Sequence, residues 1–264
     1  MSLPRILLFL AAALTPLATL GAAGALVFTA NGEEHAREGT QSRDGWAITF
    51  QHVYVALDAV TAYQTNPPYD TGQGWSFTHQ EKVPLPGTHT VDLADAAADP
   101  APVGQVTPVP PGHYNALSWT LTPAADGPAQ GSALFLAGQG VKEGRTVDFT
   151  LKVDRAVEYL CGEYVGDERK GWVAAGGQAE VEATFHLDHL FGRADKPADD
   201  PLNQAALGFD ALAALAENGK VEADLATLAA RLAAPDYAKL EAILLHLGHV
   251  GEGHCLARFP ESQS

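Results

Sequence analysis

The sequence predicts a mainly β fold: an antiparallel β-sandwich or barrel-like domain with a small C-terminal helical appendage. Between about residues 26 and 190, segments such as "GWAITFQHVYVALDAVTAYQ" and "RTVDFTLKVD" are rich in β-branched and aromatic residues and alternate in polarity. Proline- and glycine-rich clusters such as "NPPYDTGQGW" and "PVPPGHY" separate these segments, with no helical segments between them. Many short strands separated by turns are typical of antiparallel sandwiches and barrels.

The first 25 residues have the composition of a Sec-type signal peptide. Arg5 precedes an apolar run, and Ala23 and Ala25 form a small-residue cleavage pattern. Pro16 and the shortness of the run argue against the alternative, a membrane anchor of about 20 residues. We therefore expect cleavage after Ala25 and export of the mature chain to the periplasm or the medium.

The composition changes after Phe191, at the polar, turn-rich segment "GRADKPADDP". Residues 26–192 form the predicted β domain, and residues 193–264 form a predicted helical segment that packs on it. "VEADLATLAARLAA" and "DYAKLEAILLHLGHV" have helical spacing. The apolar stripe of the second stretch consists of Leu240, Ile243, Leu244 and Leu247. We expect this segment to close a site on the β domain.

The stretch "ENGKVEADL" resembles half of a calcium-binding helix–loop–helix. When Gly219 is placed at the invariant glycine of such a loop, Ala214 and Ala216 fall where carboxylate ligands are required. In the same register Leu225 replaces the bidentate glutamate. The register therefore excludes calcium binding of this type.

The charge balance is strongly acidic, with 32 acidic and 16 basic side chains. Removal of Arg5 with the signal peptide leaves 15 of those 16 basic side chains. This surplus repels phosphate backbones, which argues against nucleic acid as a partner, and it favours metal cations. The expected partner is a metal ion, exchanged with a metal transporter of the outer or inner membrane.

The two cysteines, Cys161 and Cys255, lie far apart in a chain predicted to enter an oxidising compartment. A disulfide between them is the favoured interpretation, and closing so long a loop contributes roughly 4 kcal/mol to stability. In the alternative, Cys255 is a metal thiolate and Cys161 has no partner.

Five of the ten histidines fall in two short windows, and the first window is "FHLDHLF". Strand alternation places His186 and Asp188 on the same face, two residues apart, as two ligands from one strand would lie. His189 follows where the strand is expected to end, so its ring can turn towards the same point.

The second window is "HLGHVGEGHC". His246 and His249 are three residues apart, hence neighbours on one face of the predicted helix. The glycines that follow permit a tight turn, which would bring Glu252 and His254 back towards the same point. The spacing predicts that the tail closes a metal site against the strand that carries His186.

Imidazole and carboxylate ligands suit zinc best, and copper is the second choice. Any one of these histidines, taken singly, is a common structural residue. The coincidence of two compact clusters, each beside a carboxylate, favours a shared site. Glu33, Glu34 and His35 in "NGEEHAREG" are accessory ligand candidates, although a solvated segment is the simpler interpretation.

"DGWAITFQHVYVALDAV", "FHLDHLFG" and "GHVGEGHC" together resemble a family of uncharacterised bacterial exported proteins and lipoproteins. The resemblance spans most of the mature chain and implies a periplasmic, β-rich, metal-binding protein without an assigned activity. Two features of the family are missing here: the Asp-rich calcium-type loop between the last two motifs, and the lipoprotein cysteine of some members.

Neither a nucleophile elbow nor a nucleotide-binding motif occurs in the sequence. A binding protein that captures, stores or delivers a metal is therefore favoured over an enzyme. The first alternative is a zinc-dependent hydrolase with Glu252 as general base. The second is a carbohydrate-binding or adhesion sandwich, for which Tyr69, Trp75 and Trp172 would line one exposed groove.

Overall fold

A computed structural model describes residues 22–260. Most of the predicted signal peptide therefore lies outside the described residues. The first strand begins at Gly24, just before the predicted cleavage point. None of the helices in the described range is long and apolar enough to cross a membrane.

The predicted mainly β architecture is confirmed. The strands in chain order are β1 (Gly24–Asn31), β2 (Thr40–Gln41), β3 (Ala47–Gln64), β4 (Glu81–Pro84), β5 (His89–Asp92), β6 (Ala101–Val109), β7 (Gly112–His113), β8 (Ala116–Leu121), β9 (Leu134–Lys142), β10 (Arg145–Val153), β11 (Val157–Cys161), β12 (Trp172–Val173), β13 (Gln178–Phe185), β14 (Lys220–Asp224), β15 (Gly248–Val250) and β16 (Gly253–Arg258). The helices are short and lie mostly near the C-terminus: α1 (Glu33–Arg37), α2 (Asp188–Phe191), α3 (Pro201–Ala205), α4 (Asp210–Ala213), α5 (Leu225–Arg231) and α6 (Ala234–His246).

One large curled sheet contains all of these strands except β7 and β12, which pair with each other. Its order is β14-β10-β9-β3-β8-β11-β16-β15-β13-β1-β6, and β2, β4 and β5 pair along the long strand β3. Most neighbours are antiparallel, but β1 runs parallel to β13 and β10 runs parallel to β14. The parallel β1–β13 pair brings the carboxyl ends of two distant strands to the same edge of the sheet.

The C-terminal segment is less helical than predicted, because three of its pieces join the sheet as β14, β15 and β16. The stretch predicted as one helix, "VEADLATLAARLAA", is divided. Val221 and Ala223 alternate inwards on β14, and the Asp224 carboxylate then accepts a hydrogen bond from the Thr227 N–H and caps α5. Pairing with β10 thus outweighs the helical propensity of the alanines at the start of this stretch.

The disulfide prediction is confirmed. Cys161 on β11 faces Cys255 on β16 in the antiparallel register, and the two are bonded across 94 residues of sequence. Cys255 is therefore not available as a metal thiolate. The bond ties the C-terminal strand to the centre of the sheet, next to the histidine-rich turn.

Candidate metal centre

The two histidine clusters, far apart in the sequence, lie together in the fold. The ring centroids of His186 and His249 are 4.2 Å apart. The His249 ring is also 5.0 Å from the His189 ring and 4.8 Å from the His254 ring, measured between centroids. Imidazoles from both predicted segments therefore meet at one point at the edge of the sheet.

The β15–β16 hairpin brings the C-terminal ligands into position. His249 and His254 are directly opposite each other in its register. Gly251, in the turn, has a φ of 57°, which a glycine adopts at little cost. The Gly251 N–H donates to the hydroxyl of buried Thr184 over 2.8 Å, and this bond anchors the turn to β13. The glycine-rich sequence therefore folds back as predicted.

His249 is not on the helix, contrary to the prediction. Helix α6 ends at His246, and His249 lies in the middle of strand β15. The change occurs at Gly248, where a Cβ atom would lie 2.8 Å from the Tyr159 ring and 2.9 Å from Trp119. Because Gly248 has no side chain, the chain can pass this close to the packed aromatic rings as it enters the sheet. His246, the last residue of α6, is exposed to solvent and belongs to neither of the two groups of potential ligands described below.

The strand that was predicted to carry two ligands is shorter than expected. β13 ends at Phe185, so His186 follows the strand and Asp188 begins the short helix α2. Both faces of the end of β13 are buried, because on the face that was predicted to be polar Lys170 pairs with Glu182 and the turn at Gly251 packs on Thr184. Although Asp188 is not a strand residue, the turn into α2 keeps it beside His186.

Potential ligand atoms form two groups that share one histidine. In the first group, one ligand atom each from His186, Asp188 and His189 lie within 4.8 Å of one another. In the second group, Glu33, His186 and Glu252 meet the same limit. His186 and Asp188 are buried, whereas Glu252 is exposed. The first group is therefore the better shielded from water.

His249 and His254 belong to neither group of potential ligands, but His249 stacks on His186 and has an unprotonated ring nitrogen. Its Nε2 lies 3.0 Å from the His246 carbonyl oxygen, which can only accept, so Nε2 carries the hydrogen. Burial, followed by the neighbouring imidazole of His186, lowers the pKa of His249 to about 3. The Nδ1 atom therefore carries a lone pair and no hydrogen, and it is buried without a hydrogen-bond partner in the described part of the chain.

Asp188 and His189 show related features. The Oδ1 atom of Asp188 is also buried and has no hydrogen-bond partner among residues 22–260. Burial lowers the pKa of His189 to about 4, so this imidazole is neutral at physiological pH. His186 donates from Nε2 to the Gly251 carbonyl over 3.1 Å, which leaves its Nδ1 as an acceptor. The cluster combines neutral imidazole nitrogens with an unpaired carboxylate oxygen.

Glu33, one of the three accessory candidates, lies at the site, whereas Glu34 and His35 belong to neither group. The Glu33 carboxylate is 3.7 Å from His186 Nε2, and burial raises the pKa of Glu33. Its φ of 56° is unusual for a residue with a side chain, and its N–H donates to the Asn31 side chain. Glu33 reaches the site because β1, which ends at Asn31, runs parallel to β13.

The three aromatic residues of the carbohydrate-binding alternative do not line one groove. Tyr69 is buried. Trp172 stacks on His113 with 3.9 Å between ring centroids, and the Arg258 guanidinium lies 4.1 Å from the Trp75 ring centroid. This scattered arrangement gives the alternative no support.

Comparison of the chain with family models, with curated proteins and with solved structures finds no match. Membership in the exported-protein family suggested by the sequence motifs therefore stays a prediction.

Proposed function

We propose that the protein binds a transition metal ion, with zinc preferred and copper second, and that it captures, stores or delivers this ion in the periplasm. The observation that carries the proposal is the bare, buried Nδ1 of His249 beside the group formed by His186, Asp188 and His189. Neutral imidazoles and a carboxylate are the ligands that zinc prefers when thiolates are absent.

Two buried polar atoms at this site have no hydrogen-bond partner among residues 22–260. A buried polar atom without a partner costs about 1–3 kcal/mol, and the cost is higher for a charged group. His249 Nδ1 and Asp188 Oδ1 are both in this condition within one cluster. A metal ion held by His186, Asp188 and His189 would satisfy the Asp188 atom, and it would lie next to the His249 ring, whose centroid is 4.2 Å from that of His186.

The surroundings of the rings also suit metal binding. His249 donates its other ring nitrogen to the His246 carbonyl, and His186 donates to the Gly251 carbonyl. Metal-binding histidines commonly have such a bond, because it fixes the tautomer and the ring orientation. Both carbonyls belong to the segment from His246 to Gly251, so the C-terminal tail orients the rings as well as contributing ligands.

The hydrolase alternative receives no specific support from the geometry. Glu252 is exposed and lies in the second group, with Glu33 and His186. A general base must lie within hydrogen-bond reach of the water molecule that it deprotonates for attack on the substrate. The described residues define no substrate position beside Glu252. A binding role therefore remains the function that the site supports best.

The test is the metal content of the mature protein, purified without a histidine tag and measured by mass spectrometry. We expect stoichiometric zinc or copper in the parent protein and its loss in the His186→Ala/His249→Ala variant. The matched control is His52→Ala/His79→Ala, which removes two exposed histidines that belong to neither ligand group. Circular dichroism establishes that each variant is folded. Negligible metal in the parent, or equal metal in both double variants, would contradict the proposal.

A further inference from the structure

An apolar cleft of about 380 Å³ opens beside the histidine cluster, between α3 and α6. Leu202 and Ala205 of α3 form one wall, and Ala242 and Ile243 of α6 form the other, with Pro201 at the start of α3. Both alanines are exposed to solvent, so the cleft is open and is not a packing gap inside the core. The small side chains on facing helices create the space.

The polar lining of this cleft consists of three imidazoles, those of His189, His246 and His254. His189 belongs to the proposed metal group, and His254 faces His249 across the hairpin. The cleft therefore ends at the metal centre and connects it with solvent. His246, which belongs to neither group of potential ligands, lines this cleft.

The cleft differs in charge from the rest of the molecule. The chain has 32 acidic side chains, yet none of those between residues 22 and 260 lines this cleft. An anionic group that enters the cleft would meet these imidazoles and, at the inner end, the metal ion of the proposed site. The apolar walls favour a hydrocarbon body, and the volume lies within the range of small-molecule sites, about 300–1,000 Å³.

We propose that the cleft binds a small organic acid with an apolar body, whose anionic head group coordinates the metal. The inference rests on the proposed function, because the head group needs the ion. A metal held by His186, Asp188 and His189 would then keep one coordination position for this head group. The protein would hold its metal together with such an organic ligand.

The test compares two hydroxamates that have the same head group. The mature protein is loaded with cobalt(II), whose visible absorption reports a change of ligands, and is titrated with benzohydroxamate and with acetohydroxamate. We expect benzohydroxamate to bind at least about tenfold more tightly, because its ring is buried against the apolar walls. The cobalt spectrum should change with both probes.

Two variants fill the cleft from opposite walls, Ala242→Trp and Ala205→Trp, so a folding failure of one leaves the other. Each should abolish the preference for benzohydroxamate while the cobalt content stays at the parent level. The matched control Ala125→Trp, at an exposed alanine outside the cleft, should keep the preference.

The outcomes separate this inference from the proposed function. Stoichiometric cobalt with an unchanged spectrum, or with equal affinity for both hydroxamates, would overturn the cleft inference and leave the metal site standing. A preference that persists in both tryptophan variants would also overturn it. Absence of bound cobalt, zinc and copper in the parent protein would overturn both.

Discussion

Mild acidification should destabilise the metal-free protein through His249 and His189. Burial lowers the pKa of these imidazoles to about 3 and about 4, from 6.5 in an exposed histidine. Below about pH 6.5 the unfolded chain takes up a proton at each residue and the folded protein does not. The stabilising contribution is therefore complete above pH 6.5 and is lost as the pH falls.

The magnitude follows from the size of the pKa shifts. Each group contributes about 1.4 kcal/mol per pH unit, so lowering the pH from about 6.5 to about 5 costs about 2 kcal/mol for each histidine. The two together amount to about 4 kcal/mol, a large part of the stability of an ordinary domain. Most carboxylates titrate below this interval. The raised pKa of Glu33 opposes the effect and the lowered pKa of His113 adds to it, but both residues are common to the parent protein and its variants.

The measurement is urea unfolding followed by tryptophan fluorescence, in the presence of a chelator, at several pH values within this interval. We expect the free energy of unfolding to fall by about 2.7 kcal/mol per pH unit in the parent protein. The His249→Phe variant keeps an aromatic ring but cannot titrate, so its slope should be about half as steep.

The control is His79→Phe, which removes an exposed histidine and should leave the slope unchanged. A slope in His249→Phe equal to that of the parent would refute the reasoning, because His249 would then be protonated to the same extent in the folded and unfolded states. The slope is the informative quantity, since the substitution also removes the hydrogen bond to the His246 carbonyl.

Two further predictions concern the disulfide and the glycine that hold the C-terminal segment beside the histidine cluster. The Cys161→Ala/Cys255→Ala variant should lose about 4 kcal/mol in guanidinium unfolding, because the bond closes a loop of 94 residues; a loss below about 1 kcal/mol would contradict this. Gly248→Ala should cost about 1–3 kcal/mol and lower the metal content, since its Cβ would lie 2.8 Å from Tyr159 and 2.9 Å from Trp119. If Gly248→Ala unfolds at the same temperature as the parent protein, the Tyr159 and Trp119 rings move aside without loss of stability and the prediction is wrong.

The β-rich architecture was predictable because it depends on short-range patterns. On β10, for example, Val147, Phe149 and Leu151 alternate inwards with polar residues, and such alternation is visible in the sequence. The disulfide was also predictable, since the only two cysteines of a chain predicted to be exported have no other cysteine as partner. The glycine-rich turn was predictable from its composition.

The ends of elements near the site were not predictable from local pattern. The helical stripe of α6 gives no sign that the helix stops at His246, because the residues that follow pair with β13, which is distant in the sequence. Glu33 reaches the site only because Asn31 pairs with Thr184 in a parallel register across 153 residues of sequence. No local signal indicates such a pairing.

The sequence by itself determined the strands, the turns, the cysteine pair and the two groups of histidines, because each depends on neighbouring residues and their spacing. Only the tertiary structure decided that the ring centroids of His186 and His249 lie 4.2 Å apart and that the buried Nδ1 of His249 has no hydrogen-bond partner among the described residues. It also decided that Ala205 and Ala242 leave a cleft beside them. These features depend on a carbonyl, a ring or a facing helix supplied by a distant part of the chain, and long-range packing alone brings such groups together.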